Sequence, residues 1–244
     1  MKQKNRIITL LMMVLVSASI ILIASCNKDL DNRKYPSSRI SGTFLYNGQP
    51  VPLMGTSSDA TSSNMLQLTQ TGPATYIAGN IKMFAKADGT FTILTYDGDY
   101  KLNVTPGKGP FIAPPPVTFT LKGETKIDFD VTPYHWISNY QSSYLDSVFT
   151  ATFKLEKIVP TANLEKVVIY FGSTAITDIT SKYAERVVPG VVPGNVSVSF
   201  NLKTLTTAEK LALRNTGTSY ACIAVKTAGV SDLLYSKVLA LKQP

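Results

Sequence analysis

The stretch ADGTFTILTYDGDYKL, residues 87–102, decides how this chain is built. Asp88-Gly89 and Asp97-Gly98 are turn dipeptides, and between and after them "FTILT" and "YKLNV" read as short strands. Apolar and polar residues alternate in them, so one face of each strand is buried and the other is wet. Working outward, the same pattern recurs. "RISGTFLY" (39–46) runs into the hairpin turn Asn47-Gly48, and "MLQLTQ" (65–70), "IKMFAK" (81–86), "VTFTL" (117–121) and "KIDFDV" (126–131) follow. Helical periodicity is almost absent. About seven strands over residues 39–133 make a small β-sandwich. Two loops interrupt it: a Ser/Thr-rich one at 55–64 and the stiff "PGKGPFIAPPP" at 106–116, where Phe111 and Ile112 are expected to be held out, suited to a protein contact.

The second half repeats the signature. "SVFTATFKL" (147–155), "EKVVIYFGS" (165–173) and "NVSVSFNL" (195–202) read as strands, and "TSYACIAVKTAG" with "SDLLYSKVLAL" as a terminal hairpin. "TTAEKLALRNTG" (206–217) is the one helix candidate, with Thr206 and Glu209 at capping-box spacing and Gly217 beyond its end. Tyr220 stands two residues before Cys222, the spacing of a tyrosine corner in immunoglobulin-like sandwiches. Cys222 has no partner for a disulfide once Cys26 is lipidated, and reads as a buried apolar side chain.

The N-terminus reads as an export signal. Lys2, Lys4 and Arg6 precede an apolar run from Ile7 to Ile23 that ends in "LIASC". The run is at the lower limit for a membrane span. Ala24 and Ser25 before Cys26 resemble a bacterial lipobox, which implies cleavage after residue 25, lipidation of Cys26 and a tether over 26–38. Asp29 and Asp31 resemble the short acidic tag that sends lipoproteins of Bacteroidetes-type bacteria to the cell surface. Residues 1–25 hold three basic residues and no acid, so the formal charge of +8 falls to +5 for the mature part. That mild bias contains no basic run, which argues against nucleic acid as a partner.

The spacing Asp88, Gly89, Phe91, Gly98, Tyr100 resembles the transthyretin-like or carboxypeptidase-regulatory-like domain. Its glycines make tight turns and its aromatic residues plug the core. The run from Met83 to Ile137 is similar to a family of functionally uncharacterised Bacteroidetes lipoproteins that join such a domain to a C-terminal immunoglobulin-like one. Val131, Thr132, Pro133, Tyr134 and Ile137 match their V-T-P-Y linker, while His135 and Trp136 replace its usual apolar and basic pair. The resemblance implies an all-β chain of two tandem β-sandwich domains: transthyretin-like over 39–133, then immunoglobulin- or fibronectin type III-like over 134–244. It also implies work beside a SusC-like transporter and a SusD-like lipoprotein that import nutrients through the outer membrane.

Enzyme motifs are missing: there is no H-E-x-x-H, G-x-S-x-G or Gly-rich phosphate loop, and one histidine cannot build a conventional zinc site. Neither catalysis nor a cofactor is expected. Asp128 and Asp130 lie on one face of a strand and read as its wet side. Asp97 and Asp99 read as turn residues. The only histidine and the only tryptophan remain, His135 and Trp136, among Tyr134, Tyr140 and Tyr144, with Asn139 and Gln141 nearby. Aromatic faces beside polar groups suit a glycan, a protein partner or the packing of two domains. Within this reading "DFDVTP" closes the first sandwich, Pro133 ends its pairing, and "YHWISNY" bridges to the second. The expected function is a non-catalytic, glycan-binding accessory subunit on the outer membrane. A ligand-free scaffold that docks on the transporter, or an adhesin or surface-assembly component, are the alternatives.

Overall fold

The computed structural model describes residues 35–55, 65–72, 79–216 and 218–242. The expected export signal, Cys26, Asp29, Asp31, most of the Ser/Thr loop and Gly217 lie outside them.

The first sandwich is organised around the strand Ser38–Tyr46. Its alternate residues Ser38, Ile40, Gly42 and Phe44 face inward. It pairs antiparallel with Thr90–Thr95 and parallel with Glu124–Lys126. Its far end forms a hairpin with Gln49–Pro50 and pairs parallel with Phe129–Asp130. Asn80–Met83, Leu66–Thr71, Gly98–Val104 and Val117–Leu121 make the opposing antiparallel sheet, in that order. Glycine is needed at position 42, because a Cβ there would lie 1.9 Å from the Ile127 carbonyl oxygen and 2.4 Å from the Phe91 ring. Tyr100 is fully buried, and its hydroxyl donates to the Tyr96 carbonyl at 2.8 Å, tying strand to turn.

Phe111 departs from expectation. It is 1% exposed and packs on Phe44 with ring centroids 4.8 Å apart and planes tilted by 33°. The proline-rich segment folds inward because Phe111 and Ile112 pair with Pro133 and Thr132. Of the two, only Ile112 remains exposed.

The second sandwich sets His135–Leu145, Val148–Lys157 and Gly194–Asn201 in one sheet. The opposing sheet contains Lys182–Val188, Leu164–Gly172 and Thr218–Thr227, with Leu234–Tyr235 and Leu239–Lys242 both pairing on the last. Two sequence expectations change here. Pro133 does not end pairing, and the stretch expected to bridge the domains is the first long strand of the second sandwich. "KYAERVV" (182–188), not recognised as a strand from sequence, pairs along Val167–Gly172. The helix Thr207–Thr216 has its capping box: the Thr206 amide donates to Glu209 Oε2 at 2.8 Å, and the Glu209 amide to Thr206 Oγ1 at 3.3 Å. Arg186 clamps the same carboxylate with two bonds of 2.9 and 2.8 Å.

The two sandwiches pack as one compact unit, Ser37–Pro244. Every residue of Val167–Phe171 and Ala221–Val225 is buried, because both faces of this sheet are covered. The inner face meets its own partner sheet. On the outer face Val168, Tyr170, Cys222 and Ala224 pack with Leu233, Tyr235 and Met54, a residue of the first sandwich. Backbone bonds close this joint: Ser231 and Asp232 donate to the Gly107 and Lys108 carbonyls at 2.8 and 2.9 Å. Cys222 is buried as expected, its thiol donating to the Thr177 carbonyl at 3.2 Å, and burial pushes its pKa up.

Candidate functional site

The five aromatic and imidazole side chains singled out from sequence do not form one patch. In a regular strand Trp136, Tyr140 and Tyr144 would share a face. The register shifts between Ser138 and Gln141, and Asn139 adopts φ +53°. This bulge inserts one residue and reverses the alternation beyond it. Trp136 stands opposite Glu156, on the outer face. Tyr144 stands opposite the buried Phe149, and Tyr140 packs on the buried Phe153 with centroids 6.5 Å apart.

His135 is 1% exposed, so it cannot touch a ligand at the surface. Its Nδ1 shares a 2.8 Å hydrogen bond with Thr227 Oγ1. Burial, with help from Lys157, lowers its pKa and keeps the ring neutral near neutral pH. Tyr134 is half-buried, and its backbone ties the domains. Its amide donates to the Pro110 carbonyl at 3.0 Å, and its carbonyl accepts from Ile158 at 3.0 Å.

Trp136 keeps part of its surface open. Its ring meets Tyr46 of the first sandwich edge to face, centroids 5.1 Å apart and planes at 62°. Tyr46 in turn lines a shallow groove of about 300 Å³ with Leu45, Asn47, Gly48, Asp130, Val131 and Thr132. Asp130 and Thr132 lie two apart, so both point outward while Phe129, Val131 and Pro133 are buried beneath. Asn47 sits at the hairpin tip with φ +49°. The groove is thus built from one end of the first sandwich, the Asn47-Gly48 hairpin and the closing strand, and Trp136 of the second sandwich reaches it only through its contact with Tyr46.

Asp128 is engaged elsewhere, 2.7 Å from Lys126 Nζ. No residue described here donates a hydrogen bond or ion pair to the Asp130 side chain. Sequence reasoning found Trp136 and Asp130 separately but missed Tyr46, Asn47 and Thr132 as their neighbours. The only available signal was an aromatic residue directly before an Asn-Gly turn. A second depression of similar volume lies by Asn139, Thr152, Lys154 and Asn195. Its aromatic member, Phe153, is 3% exposed and offers no stacking face.

Fold and groove together define a class: two tandem β-sandwiches, with an aromatic-and-polar groove on the first beside a ring pair that joins them. The chain belongs to the DUF3823 family. Residues 38–132 match the model described as "Protein of unknown function (DUF3823) N-terminal domain", and residues 135–240 match "Domain of unknown function (DUF3823_C)". A DUF3823 family protein from Parabacteroides merdae ATCC 43184 is 33% identical with a TM-score of 0.73, covering 86% of this chain and 100% of its own. Another, from Bacteroides ovatus ATCC 8483, is 26% identical with a TM-score of 0.68, covering 84% and 98%. At 17% identity, a Bacteroides uniformis ATCC 8492 protein described as a "putative carbohydrate binding protein" shares the fold, with a TM-score of 0.68 over 85% of this chain and 100% of its own. No curated protein matches the chain.

Proposed function

We propose that this protein is a lipid-anchored, non-catalytic subunit that captures glycan at the outer membrane, beside a SusC-like transporter and a SusD-like lipoprotein. The observation that carries the reading is the half-exposed Tyr46–Trp136 ring pair, whose Tyr46 lines a polar groove. Sugars present flat C–H faces and a rim of hydroxyls, and the groove offers aromatic surface and oxygen acceptors side by side. The lipobox ending at Cys26 and the acids Asp29 and Asp31 support anchoring on the cell surface. The Bacteroides uniformis protein of the same fold supports carbohydrate as the ligand.

Affinity purification of the lipidated protein from its native membrane tests the assembly. Recovery of a SusC-like transporter in stoichiometric amount is the expected result. Recovery of the protein alone, under detergents that preserve such complexes, overturns the partnership.

A further inference from the structure

We propose that the groove beside Tyr46 selects a neutral sugar unit and rejects uronate or sulfated ones, with the Asp130 carboxylate accepting a pair of ligand hydroxyls. This rests on the glycan-capture reading and specifies its ligand class.

The chain as a whole is basic, which by itself would favour acidic glycans. The groove is the reverse of the whole. Its lining residues, Leu45, Tyr46, Asn47, Gly48, Asp130, Val131 and Thr132, include one acid and no base. Two nearby lysines are engaged with acids, and Lys157, opposite His135, does not line the groove. Lys126 pairs with Asp128 at 2.7 Å, and Lys154 lies 3.8 Å from Glu156, which also accepts from Ser138 Oγ. Glu156 stands across the strand pair from Trp136, which adds a second acid near the ring pair. An anionic sugar would bring its charge next to Asp130 with no cation in the lining to offset it, and like charges at such short range repel.

A neutral sugar meets the opposite situation. An ionised carboxylate is an acceptor only, with two oxygens, and sugar hydroxyls are donors of matching spacing. Hydrogen bonds to an ionised acceptor are roughly twice as strong as neutral ones. Asp130 has no donor among the described residues, so no bond to them must break to receive these hydroxyls. Asn47 and Thr132 can each donate and accept at the sides, and the Tyr46 ring, backed by Trp136, supplies the apolar wall.

The chain reports on this site directly, because Trp136 is its only tryptophan. The test titrates the full lipidated chain in detergent with maltohexaose, mannohexaose, xylohexaose and trigalacturonate, followed by Trp136 emission and by calorimetry. The expected result is that at least one neutral oligosaccharide shifts the emission and binds at least tenfold more tightly than trigalacturonate. Asp130→Ala should weaken neutral binding at least tenfold with unchanged melting temperature, since the side chain is exposed and bonds to none of the described residues. Asp130→Asn should narrow the neutral-to-uronate gap. Tighter binding of trigalacturonate overturns the ligand class and leaves glycan capture standing. Neutral binding that is unchanged in Asp130→Ala overturns the role of the groove. No calorimetric binding of any sugar across a wider panel overturns glycan capture and the ligand class together.

Discussion

Met54 and Asp232, 178 residues apart, meet inside the joint between the two sandwiches, where the Met54 amide donates to the Asp232 carboxylate at 3.3 Å. The other carboxylate oxygen accepts from the Leu233 amide at 2.7 Å, and the side chain is fully buried. A single acid therefore touches both domains, where no solvent reaches it.

Burial raises the Asp232 pKa from 3.8 to about 7, reinforced by Asp178 and opposed by the two amides and Lys226. The folded state therefore holds a proton that the unfolded chain releases above pH 4. Stability is highest at and below that pH, declines as pH rises toward 7, and is level above it. Between pH 5 and 8 this one group should cost about 2–3 kcal/mol. Urea unfolding at the two pH values measures it, and Asp232→Asn should flatten the slope. A wild-type stability that rises over this range, with Asp232→Asn unchanged, contradicts the assignment.

Gly42→Ala should unfold or severely weaken the first sandwich. The added methyl would overlap the Ile127 carbonyl, and backbone cannot step aside as a side chain can. Overpacking of this kind costs about 3 kcal/mol or more. Thermal melting compared with Gly48→Ala separates space from strain, because nothing surrounds a Cβ at Gly48.

Asn139 is the residue on which the outer face of the second sandwich depends. Asn139→Gly should be tolerated within about 1 kcal/mol, since glycine accepts φ +53° freely. Asn139→Val should cost about 1–2 kcal/mol. Deleting Asn139 removes the bulge and should turn either Trp136 inward or Tyr140 and Tyr144 outward. Trp136 emission and its quenching by iodide would show which.

Glu209 serves two partners, the capping box and Arg186. The Arg186 guanidinium foremost, then the Thr206 bonds, pull its pKa down from 4.5 to about 2. The stabilisation is fully present above about pH 4.5 and fades as pH falls toward 2. Glu209→Gln should therefore lower stability by about 1–2 kcal/mol at pH 7 and by little at pH 2. Equal losses at both pH values would assign the effect to packing instead.

Much of the fold was legible because it is local. Alternation in 39–46, 90–95 and 98–104, the Asn47-Gly48 turn and the Thr206–Glu209 cap each depend on residues within a few positions of one another. "KYAERVV" was missed because its burial alternates weakly at a sheet edge, and Phe111 was misplaced because nothing local says that a proline-rich segment turns inward to meet Phe44. The runs "VVIYF" and "ACIAV" carried a clue to burial on both faces, but not to what covers the second one.

By itself the sequence determined the all-β class, most strand positions and the residue types available to a site, since these follow from side-chain periodicity and turn chemistry. Only the tertiary structure decided which of those residues stand together. One inserted residue at Asn139 sends Tyr140 and Tyr144 to the core and leaves Trp136 outside. Packing of the domain ends then brings it against Tyr46, ninety positions earlier in the chain. Parity along a strand is a local rule, but where it is broken, and what the far side meets, depends on partners that the chain encounters only when folded.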